Sequence, residues 1–250
     1  MSSEIKAEPS EDSLIGGINY SELIIDANAC LGAGGYGEVH SGYYKSTKVA
    51  IKIQTGLSVR NKRSFMREVE VLKSLSHPNI MQYIGSCEHG GGIYIVTELL
   101  GENLQDVCIN SDPAAAPSLL QGMKYAYDGA VGVRWLHEHQ PTPIIHRDIK
   151  PENFLLNLDK THAVVCDFGI SQFAAPGLGE KTSGKRRKTP IWSSPEVDNG
   201  GLITTKSDVY SFGLFLWSML TRKTPFYDLT TSKYQTKKYL LFKNYIFIIF

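Results

Sequence analysis

The chain has 250 residues, 42% of them hydrophobic and 20% charged, with a formal net charge of +1. This is an ordinary soluble composition, and the length suffices for one large domain or for two lobes. The near-zero net charge gives no reason to expect a nucleic acid, a polyanion or a bulk membrane surface as partner.

Residues 1–17 are polar, lack the apolar core of a signal peptide, and read as a flexible leader. Ile24 to Leu31 is apolar and stops at a cluster of glycines. Val39 to Tyr44 and Lys48 to Ile53 follow as β-prone runs, which predicts an antiparallel meander. Phe65, Val69, Leu72 and Leu75 recur at helical spacing, so Ser64 to Leu75 is an expected amphipathic helix, stopped by His77-Pro78-Asn79. Ile80 to Ile84 and Ile93 to Glu98 are two further expected strands around the Gly90-Gly91-Gly92 turn.

A long helix is expected over Ser118 to His139, with Leu119, Leu120, Met123, Tyr127, Val131 and Leu136 as its apolar residues. A second, over Thr205 to Thr221, is apolar nearly all round and is expected to be buried. No run approaches the ~20 apolar residues that span a bilayer. The last apolar stretch, Tyr239 to Phe250, is short and interrupted by Lys243. The four cysteines, Cys30, Cys87, Cys108 and Cys166, show neither metal-site nor disulfide spacing, so the cytoplasm is the expected compartment.

Four segments carry chemistry. Gly32-Ala33-Gly34-Gly35-Tyr36-Gly37-Glu38-Val39 is a G-x-G-x-x-G-x-V pattern, in which glycines let backbone N–H groups approach phosphate oxygens. Alone it fits a plain hairpin turn equally well. A strand rather than a helix follows it, which argues against a dinucleotide fold. Val49-Ala50-Ile51-Lys52 places an ammonium in an apolar strand, where it needs a partner. Glu68 on the predicted helix is preferred over Glu70, because Leu72 lies one turn on along the same face.

His146-Arg147-Asp148-Ile149-Lys150-Pro151-Glu152-Asn153 gathers a candidate proton acceptor (Asp148), a cation for a transferring phosphoryl group (Lys150) and a metal-ligating amide (Asn153). Asp167-Phe168-Gly169 then adds a second carboxylate after the apolar run Ala163 to Cys166. Carboxylate with amide oxygen suits Mg²⁺.

Taken in order, these segments resemble the signature set of eukaryotic protein kinases over about Asn19 to Phe226. The strings GxGGYGEVHSGYY, HPNI, IYIVTE and SDVYSFG are most similar to the tyrosine-kinase-like group. The resemblance implies an α+β, bilobal kinase fold. Its small antiparallel-sheet lobe with one helix would span about 18–98 and its mainly helical, incomplete lobe about 102–226, followed by an atypical tail, 227–250.

It further implies that Lys52 holds the α- and β-phosphates and pairs with Glu68, that Asp148 is the catalytic base, and that Asn153 and Asp167 bind Mg²⁺, with Mn²⁺ as the alternative ion. Gly32, Gly34 and Gly37 would approach the phosphates, and Leu31 would be a further nucleotide-binding residue. Val39, Ala50 and Leu155 would flank adenine. Glu98 to Leu100 would form the hinge, with Thr97 as gatekeeper. Leu72, Tyr83, His146 and Phe168 resemble the stacked column of kinases, and Asp208 the anchor of the catalytic loop. The implied partners are ATP and protein substrates.

Lys150, two residues after Asp148, and Thr189, seven before Glu196, are similar to serine/threonine kinases rather than tyrosine kinases. The segment between Ser171 and Lys188 reads equally as a flexible, solvated basic loop or as one that phosphate on Thr182 or Ser183, beside Lys185 to Lys188, would order by pairing with Arg147. Cys166 is a candidate alkylation handle or an inert core thiol.

The chain departs from the family in three places. Ser194-Pro195-Glu196 replaces Ala-Pro-Glu, Lys188 stands where glycine commonly precedes Thr189, and the tail after Phe226 lacks the expected helices and the arginine that pairs with Glu196. The competing readings are therefore an inactive nucleotide- or partner-binding fragment and, more distantly, a small-molecule kinase.

Overall fold

The computed structural model describes residues 17–34, 37–55, 59–174 and 191–227, with the side chains of 34 and 59–64 left out. The leader to residue 16, the tail from 228, and Thr182, Ser183, Lys185 to Lys188 and Thr189 lie outside the described residues. The chain divides into two compact units, one drawn from residues up to 73 with 82–99, the other from 74–81 with the residues from 100 on.

The first unit is an antiparallel sheet of five strands in the order β1-β2-β3-β5-β4. The strands are β1 (Leu23–Gly34), β2 (Gly37–Tyr44), β3 (Thr47–Gln54), β4 (Tyr83–His89) and β5 (Gly92–Glu98), with helix α1 (Val59–Ser74) after β3. Ile80, expected as the start of a strand, forms only an isolated bridge with Val165, and β4 begins at Tyr83.

Register sorts the side chains. Val39 pairs Lys52, Ala50 pairs Thr97, and Lys52 pairs Ile95. With a period of two, Val39, Ala50, Lys52, Ile95 and Thr97 share one face. The other face carries Val49, Ile51, Tyr94, Val96 and Cys87, which form a core with Ile18. Gly90 and Gly91, at φ +57° and +73°, make the turn that lets β5 return.

Gly37 is fixed by geometry. Its φ is +105°, and a Cβ there would run into the Ile53 carbonyl oxygen. A Cβ at Gly32 would meet nothing within 4 Å.

In the second unit, α2 (Leu119–His137) starts at Ser118, whose side chain accepts a hydrogen bond from Gln121 N. Its buried face is Gly122, Tyr125, Ala126, Gly129, Gly132, Val133 and Leu136. Some of the apolar residues of this helix lie off that face: Leu120 is 82% exposed and Tyr127 69%. Small residues mark the true inner face because backbone approaches there. A Cβ on Gly129 would strike the Phe154 ring, and one on Gly132 would strike Asn79 O and the Val165 side chain.

Two short antiparallel strand pairs lie against this helix. They are β6 (Ile144–Ile145) with β9 (Gln172–Phe173), and β7 (Phe154–Leu156) with β8 (Ala163–Val165). A one-and-a-half-turn π-helix, Gln105–Asn110, was not expected from sequence.

The last helices are α3 (Pro195–Asp198) and α4 (Thr205–Thr221). Helix α4 is capped by Thr204 and Ser207 in a reciprocal capping box. It buries Phe212, Phe215 and Met219 but leaves Trp217 and Leu220 exposed, so it is not covered all round as expected. Phe154 is stacked on Phe215 with centroids 4.4 Å apart, and both are fully buried. Each such ring contributes up to ~3 kcal/mol by burial.

The glycine geometry gives a discriminating prediction. Gly37→Ala should lower unfolding stability by about 1–3 kcal/mol, whereas Gly32→Ala should stay within about 0.5 kcal/mol of the parent. Urea titration of both variants checks this, and equal losses would contradict it.

Candidate active site

Lys52 is drawn into an apolar strand and finds its partner on α1. Its Nζ donates to Glu68 Oε1 at 2.5 Å, and both side chains are largely buried. Glu70, the alternative, is exposed. Thr97 is buried on the Lys52 face, and its hydroxyl donates to the Glu98 carbonyl at 3.3 Å. The Glu98 carboxylate accepts from Gln82 N at 2.8 Å, which ties β5 to the chain entering β4. Leu31 is half-exposed on β1. These residues belong to the first unit, together with Leu72 and Tyr83.

The second unit holds the other candidates. Asp208, 1% exposed at the start of α4, organises them. Its Oδ2 accepts from His146 N at 2.7 Å and its Oδ1 from Arg147 N at 2.8 Å. The His137 ring, on α2, lies 3.0 Å from Oδ2 through Nε2. Three donors thus satisfy a carboxylate that would be costly to bury alone. They also hold Arg147 at φ +72°, a left-handed conformation that costs a non-glycine residue ~1–2 kcal/mol. An Arg147 Nη1 donates to Gln172 Oε1.

His146 is fully buried, and its partners set its tautomer. Nε2 lies 2.9 Å from the Cys166 carbonyl, which can only accept, while Nδ1 accepts from Asp148 N at 3.3 Å. The network therefore assigns the proton to Nε2. The ring meets Phe168 edge-on, centroids 5.2 Å apart.

Asp148 sits at the end of this scaffold. Lys150 Nζ donates to its Oδ2 at 2.7 Å, and Asn153 Nδ2 donates to the same oxygen at 3.0 Å and to the Asp148 carbonyl at 2.7 Å. With its amide nitrogen so committed, Asn153 presents its oxygen as the remaining polar atom. Asn153 O accepts from Cys166 N at 2.8 Å, which ties this residue to the strand leading into Asp167. Asp167 has φ +61°, and its Oδ1 accepts from Gly169 N at 3.4 Å. An amide oxygen and a carboxylate fit a hard divalent cation. Among the described residues no cluster of three or more His, Cys, Asp or Glu could hold a metal ion.

Leu100, Val164 and Cys166 form one buried cluster with Leu155 and Met81 packed on it. Two of the expected adenine-flanking or hinge residues, Leu100 and Leu155, thus meet within the second unit. The Cys166 thiol is buried and donates to Val164 O at 3.5 Å, the environment of a core thiol. Glu196 Oε1 accepts from Ser207 Oγ at 3.1 Å, while its buried Oε2 has no hydrogen-bond partner among the described residues.

His137 and Ser207 were not singled out in the sequence. His137 lies in no motif recognised in the sequence and Ser207 opens the SDVYSFG string without an assigned role, and only the three-dimensional position of Asp208 and Glu196 gives them one.

The model of the protein tyrosine and serine/threonine kinase family matches residues 25–244, and the chain belongs to that family. The match runs past Phe226 into the tail. Among its relatives in Dictyostelium discoideum is "Dual specificity protein kinase shkA", 37% identical over 226 residues, 89% of this chain and 42% of that protein. "Dual specificity protein kinase shkD" is 38% identical over 205 residues, 81% of this chain and 27% of its own length. "Probable serine/threonine-protein kinase drkA" is 36% identical over 202 residues, 80% and 30% respectively. The chain therefore spans less than half of each of these relatives. A place among tyrosine-kinase-like kinases is consistent with them. Among the described residues no helix is long and apolar enough to cross a membrane.

The buried ion pair yields a second prediction. Lys52→Met leaves the Glu68 carboxylate buried without its 2.5 Å partner and should destabilise the chain by about 3 kcal/mol. The double variant Lys52→Met/Glu68→Leu should recover most of that loss. A denaturant double-mutant cycle measures the coupling, and additive losses would contradict a paired, desolvated bridge.

Proposed function

We propose that the chain is an ATP-dependent protein kinase that transfers the γ-phosphate of ATP to serine or threonine hydroxyls of protein substrates in cytoplasmic signalling. The observation that carries the reading is the Asp148 carboxylate held between Lys150 and Asn153 on a backbone anchored by Asp208.

In this reading an acceptor hydroxyl donates a hydrogen bond to Asp148, which orients its oxygen toward the γ-phosphorus. That oxygen bonds to phosphorus as the bond to the β,γ-bridging oxygen breaks. ADP leaves and the hydroxyl proton passes to Asp148. Lys150, 2.7 Å from Asp148, brings a cation to the place where charge spreads on the transferring group. Lys52, steadied by Glu68, holds the α- and β-phosphates. Asn153 and Asp167 would hold Mg²⁺ or Mn²⁺, which when bound neutralises phosphate charge.

Gly32, Gly34 and Gly37 approach the phosphates, and Leu31 contacts the nucleotide. Val39, Ala50 and Leu155 contact adenine, whose edge meets the backbone of Glu98 to Leu100, with Thr97 behind. Lys150 two residues after Asp148 supports a serine/threonine acceptor. The printed names of the relatives, serine/threonine and dual-specificity kinases, support the same class and make tyrosine the alternative acceptor.

A second reading, a catalytically inactive nucleotide- or partner-binding protein, is favoured by one observation, the buried Glu196 oxygen without a partner among the described residues.

The test is transfer from labelled ATP with Mg²⁺ to a generic protein substrate, followed by phosphoamino acid analysis. The expected products are phosphoserine and phosphothreonine, with transfer reduced about 10²–10⁴-fold in Asp148→Asn. Phosphotyrosine alone would overturn the acceptor assignment. A folded chain that binds nucleotide without transfer would establish the second reading.

A further inference from the structure

The stem of the glycine turn contains a buried histidine that the reaction does not use. Strands β1 and β2 pair at Ile25↔Gly42 and next at Cys30↔His40, so five steps along β1 face two along β2. The bulge leaves Asp26 to Ala29 without partners in the ladder. His40, 8% exposed, fills the gap with its ring. Nδ1 lies 3.3 Å from the Asp26 carbonyl and Nε2 lies 3.0 Å from Glu38 Oε2.

Both facing atoms accept hydrogen bonds and neither donates. A neutral imidazole has one N–H and satisfies one of them, leaving a ring lone pair against the other oxygen. An imidazolium has two and satisfies both.

Among the described residues the other groups around the ring are few. On β1, the Asp26 carboxylate is turned to Asn28 N at 3.0 Å, and the exposed Cys30 lies opposite His40. On β3 the residues opposite His40 and Glu38 are Ile51 and Ile53, and Lys52 is on the opposite face with Val39. Among the described residues Glu38 is thus the one charged side chain aimed at the ring, and it belongs to the G-x-G-x-x-G-x-V segment itself.

We propose that His40 is a proton-controlled brace that replaces the missing β1–β2 ladder bonds and makes nucleotide affinity depend on pH. The inference rests on the nucleotide-binding reading above. The brace is complete when both ring nitrogens carry protons and lacks one bond when only one does. Strands β1 and β2 then hold Gly32, Gly37 and Val39 less firmly, and affinity falls.

The experiment compares ADP–Mg²⁺ affinity by calorimetry for the full chain, His40→Gln and Glu38→Gln. It spans about pH 5.5 to 8.5, which brackets imidazole titration. The terminal phosphate of ADP also titrates in this range, so the readout is the ratio of variant to parent dissociation constants, in which that contribution cancels. The parent should lose about threefold to tenfold relative to His40→Gln as pH rises, the equivalent of one hydrogen bond. Glu38→Gln, at a side chain 64% exposed, should remove most of the same dependence without touching the core.

A ratio constant with pH for either variant overturns the proposal. If no form binds ADP at any pH, the nucleotide reading itself has failed. The brace is then decided by amide hydrogen exchange at Cys30 and Gly32 in the parent and His40→Gln. Protection lost with rising pH in the parent only supports it, and identical pH behaviour in both chains overturns it.

Discussion

A single buried carboxylate, Asp208, sets the geometry on which the candidate chemistry depends. It accepts from two consecutive backbone N–H groups and faces a histidine ring, all within about one hydrogen-bond length. The two backbone bonds force Arg147 into a left-handed conformation, and that turn sends His146 inward and Asp148 outward. His146 then reaches Cys166 O, which fixes the strand leading to Asp167. Lys150 and Asn153 converge on the Asp148 carboxylate from the following 3₁₀ turn, Pro151–Asn153. The strain at Arg147 costs ~1–2 kcal/mol, less than the loss expected if a buried hydrogen-bonded carboxylate were left unsatisfied.

The sheet unit works by a different constraint, strand register. Antiparallel pairing with a period of two puts Val39, Ala50, Lys52 and Thr97 on one face without any contact between them in sequence. The opposite face is a hydrophobic core. A one-residue slip would exchange the two faces, bury Lys52 in that core and separate it from Glu68. Gly37, which admits no Cβ against Ile53, helps pin the register at the hairpin.

The motifs were legible in the sequence because their chemistry demands fixed residue types at short spacing. An ammonium inside an apolar strand, a carboxylate flanked by lysine and asparagine, and a carboxylate before Phe-Gly are each hard to explain otherwise. The α+β class followed from runs of strand-like and then helix-like periodicity. What stayed hidden depended on distance or on absence of side chain. Much of the inner face of α2 is glycine and alanine, so the helix's large apolar residues alone do not mark it, and Leu120 and Tyr127 face outward. His137 and His40 have no local signature. The first matters because α4 brings Asp208 to it, and the second because a bulge on another strand leaves a gap. Strand β4 started later than Ile80 because that residue bridges to Val165 in the second unit.

If Asp208 positions the Asp148 loop through its bonds to His146 N and Arg147 N, as the proposed reaction requires, its isosteric Asp208→Asn variant is the direct test. An asparagine cannot accept from both backbone N–H groups through two oxygens, and the loop should shift while Lys52, Asp148 and Asp167 remain in the chain. Measured at saturating Mg²⁺–ATP, phosphoryl transfer should fall by about 10²-fold or more, as for ångström-scale misplacement of a reacting group, with nucleotide affinity changed little. Transfer at the parent rate in a folded Asp208→Asn chain would contradict the account.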